Sequence, residues 1–152
     1  MIQGFVEKAD TKSVRSWWDQ HPFAFGVSNK NRVEVGTIPL EKMNRSYFDE
    51  VERRFRKHHR FAAQADKAPL LSNLIDYNKI RGKRVLDIAT GSGFLAVQFA
   101  KAGAQVTAID LTPFAVEHAR KNFTVRNVPG IVLEADAQQL PFEFESFVIV
   151  MA

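Results

Sequence analysis

Short runs of apolar residues alternate with helix-like segments through the second half of the chain. Four runs predict strands, at residues 84–89, 105–110, 131–135 and 147–151. One helix is expected at 93–102, ending before Gly103, and Thr112 followed by Pro113 marks the start of another. Short continuous apolar strands separated by helices are typical of a parallel sheet. We therefore expect an α/β fold in this half.

The first half has a different pattern, which predicts an irregular leader followed by helices at 44–66 and about 68–79. The basic run at residues 53–60 lies on an amphipathic helix, so we interpret it as a solvated face rather than a patch for an acidic substrate or RNA. The adjacent residues His58 and His59 would point apart on a helix, which makes them poor joint metal ligands. Four aromatic residues of the leader are expected to be packing anchors: Trp17, Trp18, Phe23 and Phe25.

The amino-acid composition is that of a globular domain and excludes several kinds of site. The chain has 152 residues, of which 45% are hydrophobic and 25% charged, as in an ordinary globular domain. Cysteine is absent, which excludes thiolate nucleophiles and Cys-based metal sites. The net charge of +4 is small, so nucleic acid is not expected as a partner. No run approaches the roughly 18 apolar residues of a membrane span, and we expect a cytoplasmic protein without a secretion signal.

The most informative stretch is residues 85–96, Val-Leu-Asp-Ile-Ala-Thr-Gly-Ser-Gly-Phe-Leu-Ala. It predicts a strand ending near Asp87, a glycine-rich turn, and a helix whose first turn faces a nucleotide-like ligand. Asp110 ends the next strand about 17 residues beyond Gly93, where a ribose-binding acid belongs in such a unit. The turn fits a dinucleotide fingerprint, but Asp87 would repel a pyrophosphate. S-adenosylmethionine carries an ammonium and a sulfonium, so an acid there favours that ligand.

Three motifs in order make the sequence similar to the class I S-adenosylmethionine-dependent methyltransferases. The first is Asp87-Ile-Ala89-Thr-Gly91-Ser-Gly93, the second Asp110-Leu111, and the third Ala135-Asp136-Ala137. The resemblance implies a Rossmann-like, mostly parallel sheet with strand order 3-2-1-4, preceded by a helical N-terminal region. It divides the chain into residues 1–82, a leader with helices on the cap or substrate side, and residues 83–152, a cofactor-binding half-domain.

The resemblance also implies a role for each motif residue. Asp87 would hold the methionine end of the cofactor, directly or through water. Ala89, Gly91 and Gly93 would let the backbone approach the ligand closely, since a Cβ would collide there. Ser92 belongs to the same binding turn.

The second and third motifs would hold the adenosine part. Asp110 would accept hydrogen bonds from both ribose hydroxyls, and Leu111 would pack on the adenine face. Asp136 would accept from the adenine amino group, with the Ala137 backbone beside it. Each acid taken singly also fits a purely structural role, such as leading into a helix.

The resulting hypothesis is methyl transfer from S-adenosylmethionine, to a small-molecule acceptor by analogy with family members that have a similar leader. Two alternatives stay open: an NAD(P)-dependent oxidoreductase, and a truncated, non-catalytic cofactor-binding or partner module. The sequence assigns no catalytic residue and no metal site. Tyr47, His58 and His21 are the side chains considered as a base.

The chain stops at Ala152, directly after the fourth strand, whereas the family pattern continues through three more strands. In the order 3-2-1-4, that strand is an apolar edge, which is a pairing hazard. We expect either a fragment of a longer enzyme or a half-domain that self-associates through the strand-4 edge.

Overall fold

The computed structural model describes residues 10–21, 39–58 and 68–152. The regular elements in these ranges are α1 (Thr11–Gln20), α2 (Arg45–His58), β1 (Arg84–Ile88), α3 (Phe94–Lys101), β2 (Gln105–Asp110), α4 (Pro113–Arg126), β3 (Ile131–Glu134) and β4 (Ile149–Met151). Two short 3-10 helices, Leu40–Lys42 and Tyr77–Lys79, complete the list. None of the helices described is long and apolar enough to cross a membrane.

The four strands form one parallel sheet in the order β3-β2-β1-β4. Val85 of β1 is level with Val106 of β2 on one side and with Ile149 of β4 on the other. The α/β fold and the strand order predicted from the sequence are therefore confirmed. The parallel register places the carboxyl ends of β1, β2 and β3 at one edge, where such sheets bind ligands.

Helix α4 begins where the sequence predicts. The Thr112 hydroxyl accepts a hydrogen bond from the Ala115 amide at 3.3 Å, and Pro113 occupies the first turn. The helix ends at Asn127, whose φ of 52° is left-handed, a conformation that asparagine tolerates better than most residues.

The main core lies between the sheet and helices α3 and α4. Its fully buried members include Val85, Val97, Phe99, Ala108 and Ala119. A second cluster joins α2 to α4, and contains Met43, Tyr47, Phe48 and Val51 with Phe114 packed against it. Part of the N-terminal region is therefore fixed to the sheet unit by apolar burial.

The helix predicted at about 68–79 is wrong. Residues 70–74 form turns, and Leu71 has a left-handed φ of 58°, which interrupts a right-handed helix. The Tyr77 hydroxyl donates to the Leu70 carbonyl at 2.8 Å, which fixes this turn to the short 3-10 helix that follows. The spacing of the apolar residues predicted a helix here. Nothing in the local sequence pattern indicates that Leu71 has a positive φ.

Helix α1 lies at the surface. Trp17 is 53% exposed and Trp18 is 41% exposed, so the prediction that both are packing anchors is wrong. Phe23 and Phe25, predicted to share that role, lie outside the described residues. Arg15 forms an ion pair of 2.7 Å with Glu134 at the end of β3, which ties α1 to the ligand-binding edge of the sheet.

Strand β4 is paired with β1 along one side. Val148 and Val150 remain 63% and 55% exposed. Exposed β-branched residues on an outer strand are consistent with the edge expected from the sequence. Self-association through this strand stays a prediction.

His118 is buried in the seam between α2 and α4. Its ring centroid lies 5.7 Å from that of Tyr47, 5.2 Å from Phe48 and 5.5 Å from Phe114. Nε2 has no hydrogen-bond partner among the described residues. Burial lowers the pKa of His118 to about 4, because the aromatic surroundings do not solvate an imidazolium.

This burial predicts acid sensitivity. Between pH 6.5 and about 4 the unfolded chain binds a proton at His118 that the folded chain does not, so stability is lost as pH falls through that window. Relative to His118→Gln, the wild-type free energy of unfolding should fall by on the order of 3 kcal/mol. Urea unfolding followed by circular dichroism at pH 7 and 4.5 measures this. Phe123→Leu, which changes another buried ring of α4 and leaves His118 and its three aromatic neighbours in place, should track the wild type. Parallel curves for wild type and His118→Gln would contradict the assignment.

Candidate functional site

A cavity of about 540 Å³ opens at the carboxyl edge of the sheet. Its walls come from the ends of β1, β2 and β3, from the first turns of α4, and from one side of α1. Its lining residues are Val14, Trp18, Ile88, Ala89, Gly91, Ile109, Asp110, Leu111, Thr112, Phe114, Ala115, His118, Ala135, Asp136, Ala137 and Gln138. The cavity is the place where an open parallel sheet presents its strand ends to a ligand.

Most of the residues predicted from the three motifs meet at this cavity. Six of the nine line it: Ala89, Gly91, Asp110, Leu111, Asp136 and Ala137. Three do not: Asp87, Ser92 and Gly93. These three residues are buried: Asp87 belongs to β1, and Ser92 and Gly93 belong to the turn itself.

The Asp110 carboxylate joins the two ligand-facing segments. Its Oδ2 accepts from the Gly91 amide at 2.9 Å, and its Oδ1 accepts from the Thr112 amide at 3.1 Å. The structural role weighed from the sequence is therefore present, since this acid precedes and orients α4. The Thr112 hydroxyl also donates to Oδ1 at 3.3 Å, so three of the about four lone-pair positions of the carboxylate are used and about one remains for a ligand.

Gly91 leaves room for a ligand at the turn. Its φ is 54°, and a Cβ built on it would meet no atom within 4 Å. Ala89 also has a left-handed φ of 56°, in which its Cβ lies close to the following carbonyl oxygen, so the turn is strained at this residue. A side chain at Gly91 would thus occupy open space beside the cavity rather than clash with the protein.

Gly93 serves a different purpose in the fold. Its φ is 69°, and a Cβ on it would lie 3.0 Å from the Ala119 Cβ of α4. The small residue therefore allows α3 and α4 to pack closely. The resemblance implied that a glycine stands here so that the ligand can approach closely, whereas the structure shows that a glycine is needed for helix packing. A direct role of Gly93 in cofactor binding stays a prediction.

Asp87 is 5% exposed and points back into the protein near the turn. The Thr90 hydroxyl donates to its Oδ2 at 2.6 Å. Burial raises the pKa of Asp87 to about 6; the Thr90 hydrogen bond opposes this change, and the negative charge of Asp110 adds to it. A cation arriving at the turn would favour the charged form of this carboxylate.

The loop after β3 forms the third wall. The Asp136 Oδ1 accepts from the Gln138 amide at 2.8 Å, and the Ala135 amide donates to the Asp110 carbonyl at 2.9 Å. The second hydrogen bond continues the β2–β3 ladder, so it fixes the third motif relative to the second. Both acids are thus held at the rim of one cavity.

Several lining residues were not predicted. Val14 and Trp18 come from α1, and Phe114 and His118 from α4. The i, i+4 spacing of Phe114 and His118 marks one helix face, but the sequence does not show that this face ends at the cavity. Thr90 was also missed; a hydroxyl three residues after an acid inside the first motif is the signal that could have found it.

Two of the three side chains considered as a base, Tyr47 and His21, are poorly placed. Tyr47 is buried in the α2–α4 cluster, where burial raises the pKa of Tyr47 to about 12, so it holds its proton at neutral pH. His21 stacks on Trp17 at 4.7 Å and contacts the Trp17 carbonyl through Nδ1 at 2.8 Å. The side chain of His58 and all of His59 lie outside the described residues. In the described ranges, no group of three or more His, Asp or Glu could hold a metal ion.

Comparison with known proteins agrees with this geometry. The family model described as a methyltransferase domain matches residues 85–152. An uncharacterized protein of Mycobacterium tuberculosis is 40% identical over 95 residues, covering 60% of this chain and 35% of its own. The demethylmenaquinone methyltransferase of Chlorobaculum tepidum is 43% identical over 74 residues, covering 47% and 28%. The chain spans about a third of the length of these relatives.

A solved structure shows the same fold. The magnesium protoporphyrin IX methyltransferase of Synechocystis PCC 6803, crystallised with bound SAH, aligns with a TM-score of 0.59 and 20% identity. The alignment covers 93% of this chain and 57% of that one. The matched family segment begins at β1 and contains all three motifs around the cavity. Residues 85–152 are therefore similar in sequence to a methyltransferase domain, and the chain shares the fold of a solved methyltransferase.

Proposed function

We propose that the protein transfers the methyl group of S-adenosylmethionine to a small-molecule acceptor. The observation that carries the proposal is the convergence of Gly91, Asp110 and Asp136 on one cavity at the carboxyl edge of the sheet. The cavity has the open space at Gly91 that a ligand needs to approach the backbone. A dinucleotide would bring its pyrophosphate toward buried Asp87, which disfavours the oxidoreductase alternative.

Within this proposal, the cofactor-binding residues are those predicted from the motifs. Asp110 and Asp136 provide carboxylates for the ribose and the adenine amino group, and Leu111 and Ala137 flank the ring. Asp87, below the turn in β1, acts through its charge, whereas Ser92 and Gly93 act by setting the shape of the turn to which they belong. Thr90 keeps the Asp87 carboxylate aligned at 2.6 Å.

The N-terminal region would act as the cap of the site. Val14 and Trp18 of α1 already form one wall of the cavity, and α2 is packed on α4. This supports a division in which residues 1–82 cover the ligand and residues 83–152 bind it. A small-molecule acceptor suits a cavity with the apolar side chains Val14, Trp18 and Phe114 in its wall.

S-adenosylmethionine supplies an already activated methyl group when it is bound. The chain's own contribution is to orient the donor, hold its charges and exclude water from the reacting groups. We assign no catalytic base. A cytoplasmic location belongs to the proposal.

The first test is calorimetric titration with S-adenosylmethionine and S-adenosylhomocysteine. Asp110→Ala should weaken both at least tenfold, because each lost charge-assisted hydrogen bond contributes about 1.5–3 kcal/mol. Asp76→Ala is the matched control: Asp76 also accepts from the amide two residues later, at 3.1 Å, but does not line the cavity. The proposal is wrong if a folded wild-type chain binds neither ligand, or if the two variants weaken binding equally.

Asp87 should make binding of S-adenosylmethionine depend on pH. With its pKa raised to about 6, the carboxylate is mostly protonated at pH 5 and charged at pH 7, so affinity should rise through this range. Asp87→Asn should remove the pH dependence and weaken binding at pH 7 about tenfold. The same titration series, with Asp76→Asn as control, measures this. Affinity that stays constant from pH 5 to 7 in the wild type would contradict the role given to Asp87.

Trp18 should report ligand binding by fluorescence. Its indole lines the cavity, whereas its neighbour Trp17 stacks on His21 outside the lining. Addition of S-adenosylhomocysteine should change the emission of the wild type and of Trp17→Phe, and Trp18→Phe should lose most of the change. A full change in Trp18→Phe would show that α1 does not contact the ligand.

A further inference from the structure

The glycine-rich turn is held from behind by a side chain that no motif includes. Asn122 of α4 donates from Nδ2 to the Ser92 carbonyl at 2.9 Å, and both residues are buried. Helix α3 begins its own ladder one residue later, with the Val97 amide donating to the Gly93 carbonyl. Among the residues that the structure describes, Asn122 therefore supplies the donor for the buried Ser92 carbonyl.

The orientation of the Asn122 amide is fixed by Arg126, one turn further along α4. Arg126 Nε donates to the Asn122 Oδ1 at 2.9 Å. A guanidinium has donors only, so it selects the amide oxygen and leaves the amide NH₂ facing Ser92. The direction of the Asn122–Ser92 hydrogen bond thus follows from the position of Arg126.

The position of Arg126 is set in turn by two acids on α2. Its Nη2 lies 2.8 Å from the Asp49 Oδ1 and 3.4 Å from the Glu52 Oε2. The side chains of Arg126 and Glu52 are 4% and 15% exposed, whereas that of Asp49 is 56% exposed, so water reaches the Asp49 side of this pairing but little of the Glu52 side. Glu52 also accepts from Gln98 of α3 at 3.1 Å, which links α2 to the helix that leaves the turn.

We propose that Asn122 and Arg126 are positioning residues for the glycine-rich turn, and that the acidic pair Asp49 and Glu52 sets their position from α2. Helix α2 then belongs to the cofactor-binding machinery although it does not line the cavity. The expected effect of these residues on ligand affinity rests on the proposed function. Their expected effect on the conformation of the turn rests on the hydrogen bonds alone.

The test is a double-variant cycle with Glu52→Gln and Asn122→Asp. The first removes one of the two charges that face Arg126 and leaves Asp49 in place; it also removes the partner of Arg56, 2.7 Å away on the same helix. The second keeps an acceptor for Arg126 but removes the donor to Ser92. Glu50→Gln is the matched control on the same helix, since Glu50 pairs with Arg53 at 2.6 Å and with Arg54 at 2.7 Å, not with Arg126.

Two readouts are measured for each variant: hydrogen exchange of the turn amides in the ligand-free chain, and the Kd for S-adenosylhomocysteine. Glu52→Gln should speed exchange at Gly91 and Gly93 and raise the Kd about threefold, while Glu50→Gln changes neither. Asn122→Asp should raise the Kd about tenfold. In the Asn122→Asp background, Glu52→Gln should have no further effect on either readout.

A lower unfolding free energy with unchanged turn exchange and Kd would mean that these residues act only in stability, which overturns the proposal. The proposal would also be overturned if the fold-changes in Kd of Glu52→Gln and Asn122→Asp simply multiplied in the double variant, since the two residues would then act independently. If Asn122→Asp does not fold, the proposal is tested by comparing hydrogen exchange of the turn amides in Glu52→Gln with that in Glu50→Gln. If turn exchange behaves as expected but the wild type does not bind S-adenosylhomocysteine, the proposed function fails and the positioning of the turn stands.

Discussion

The hydrogen bond between the Asp110 carboxylate and the Gly91 amide is the contact on which the rest of the site depends. It spans the ends of β1 and β2, which the parallel register brings side by side. The same carboxylate receives the Thr112 amide, so one side chain defines the glycine turn and the start of α4 together. Asp110 therefore helps to set the shape of the cavity, because the glycine turn and the start of α4 both line it.

Features encoded over a few residues could be predicted from the sequence. The strands are continuous apolar runs, and Thr112 with Pro113 marks the start of α4 because capping is a contact between near neighbours. The predicted helix at about 68–79 failed because the left-handed Leu71 has no signature in the local pattern. A β-branched or aromatic neighbour does not reveal such a backbone conformation.

The sequence predicted the site residues that belong to the three motifs, and it did not predict those outside them. Asp110 and Asp136 were placed at the correct strand ends, but the sequence did not show that Asp87 would lie behind the turn and pair with Thr90. Asn122 and Arg126 had no local signal at all, because their partners on the turn and on α2 are 30 and 74 residues away. Contacts of that range are decided by how the helices pack.

The ion pair that ties α1 to the sheet has a consequence for how a ligand reaches the cavity. Arg15 and Glu134 keep side-chain exposures of 40% and 44%, and exposed pairs of this kind contribute only about 0–1 kcal/mol. Within the part of the chain that the structure describes, breaking this pair therefore costs little and leaves the hydrogen bonds of the turn and of α4 in place. Ligand exchange can be fast even though the residues that recognise the ligand are rigid, and added salt, which screens the pair, should speed it further.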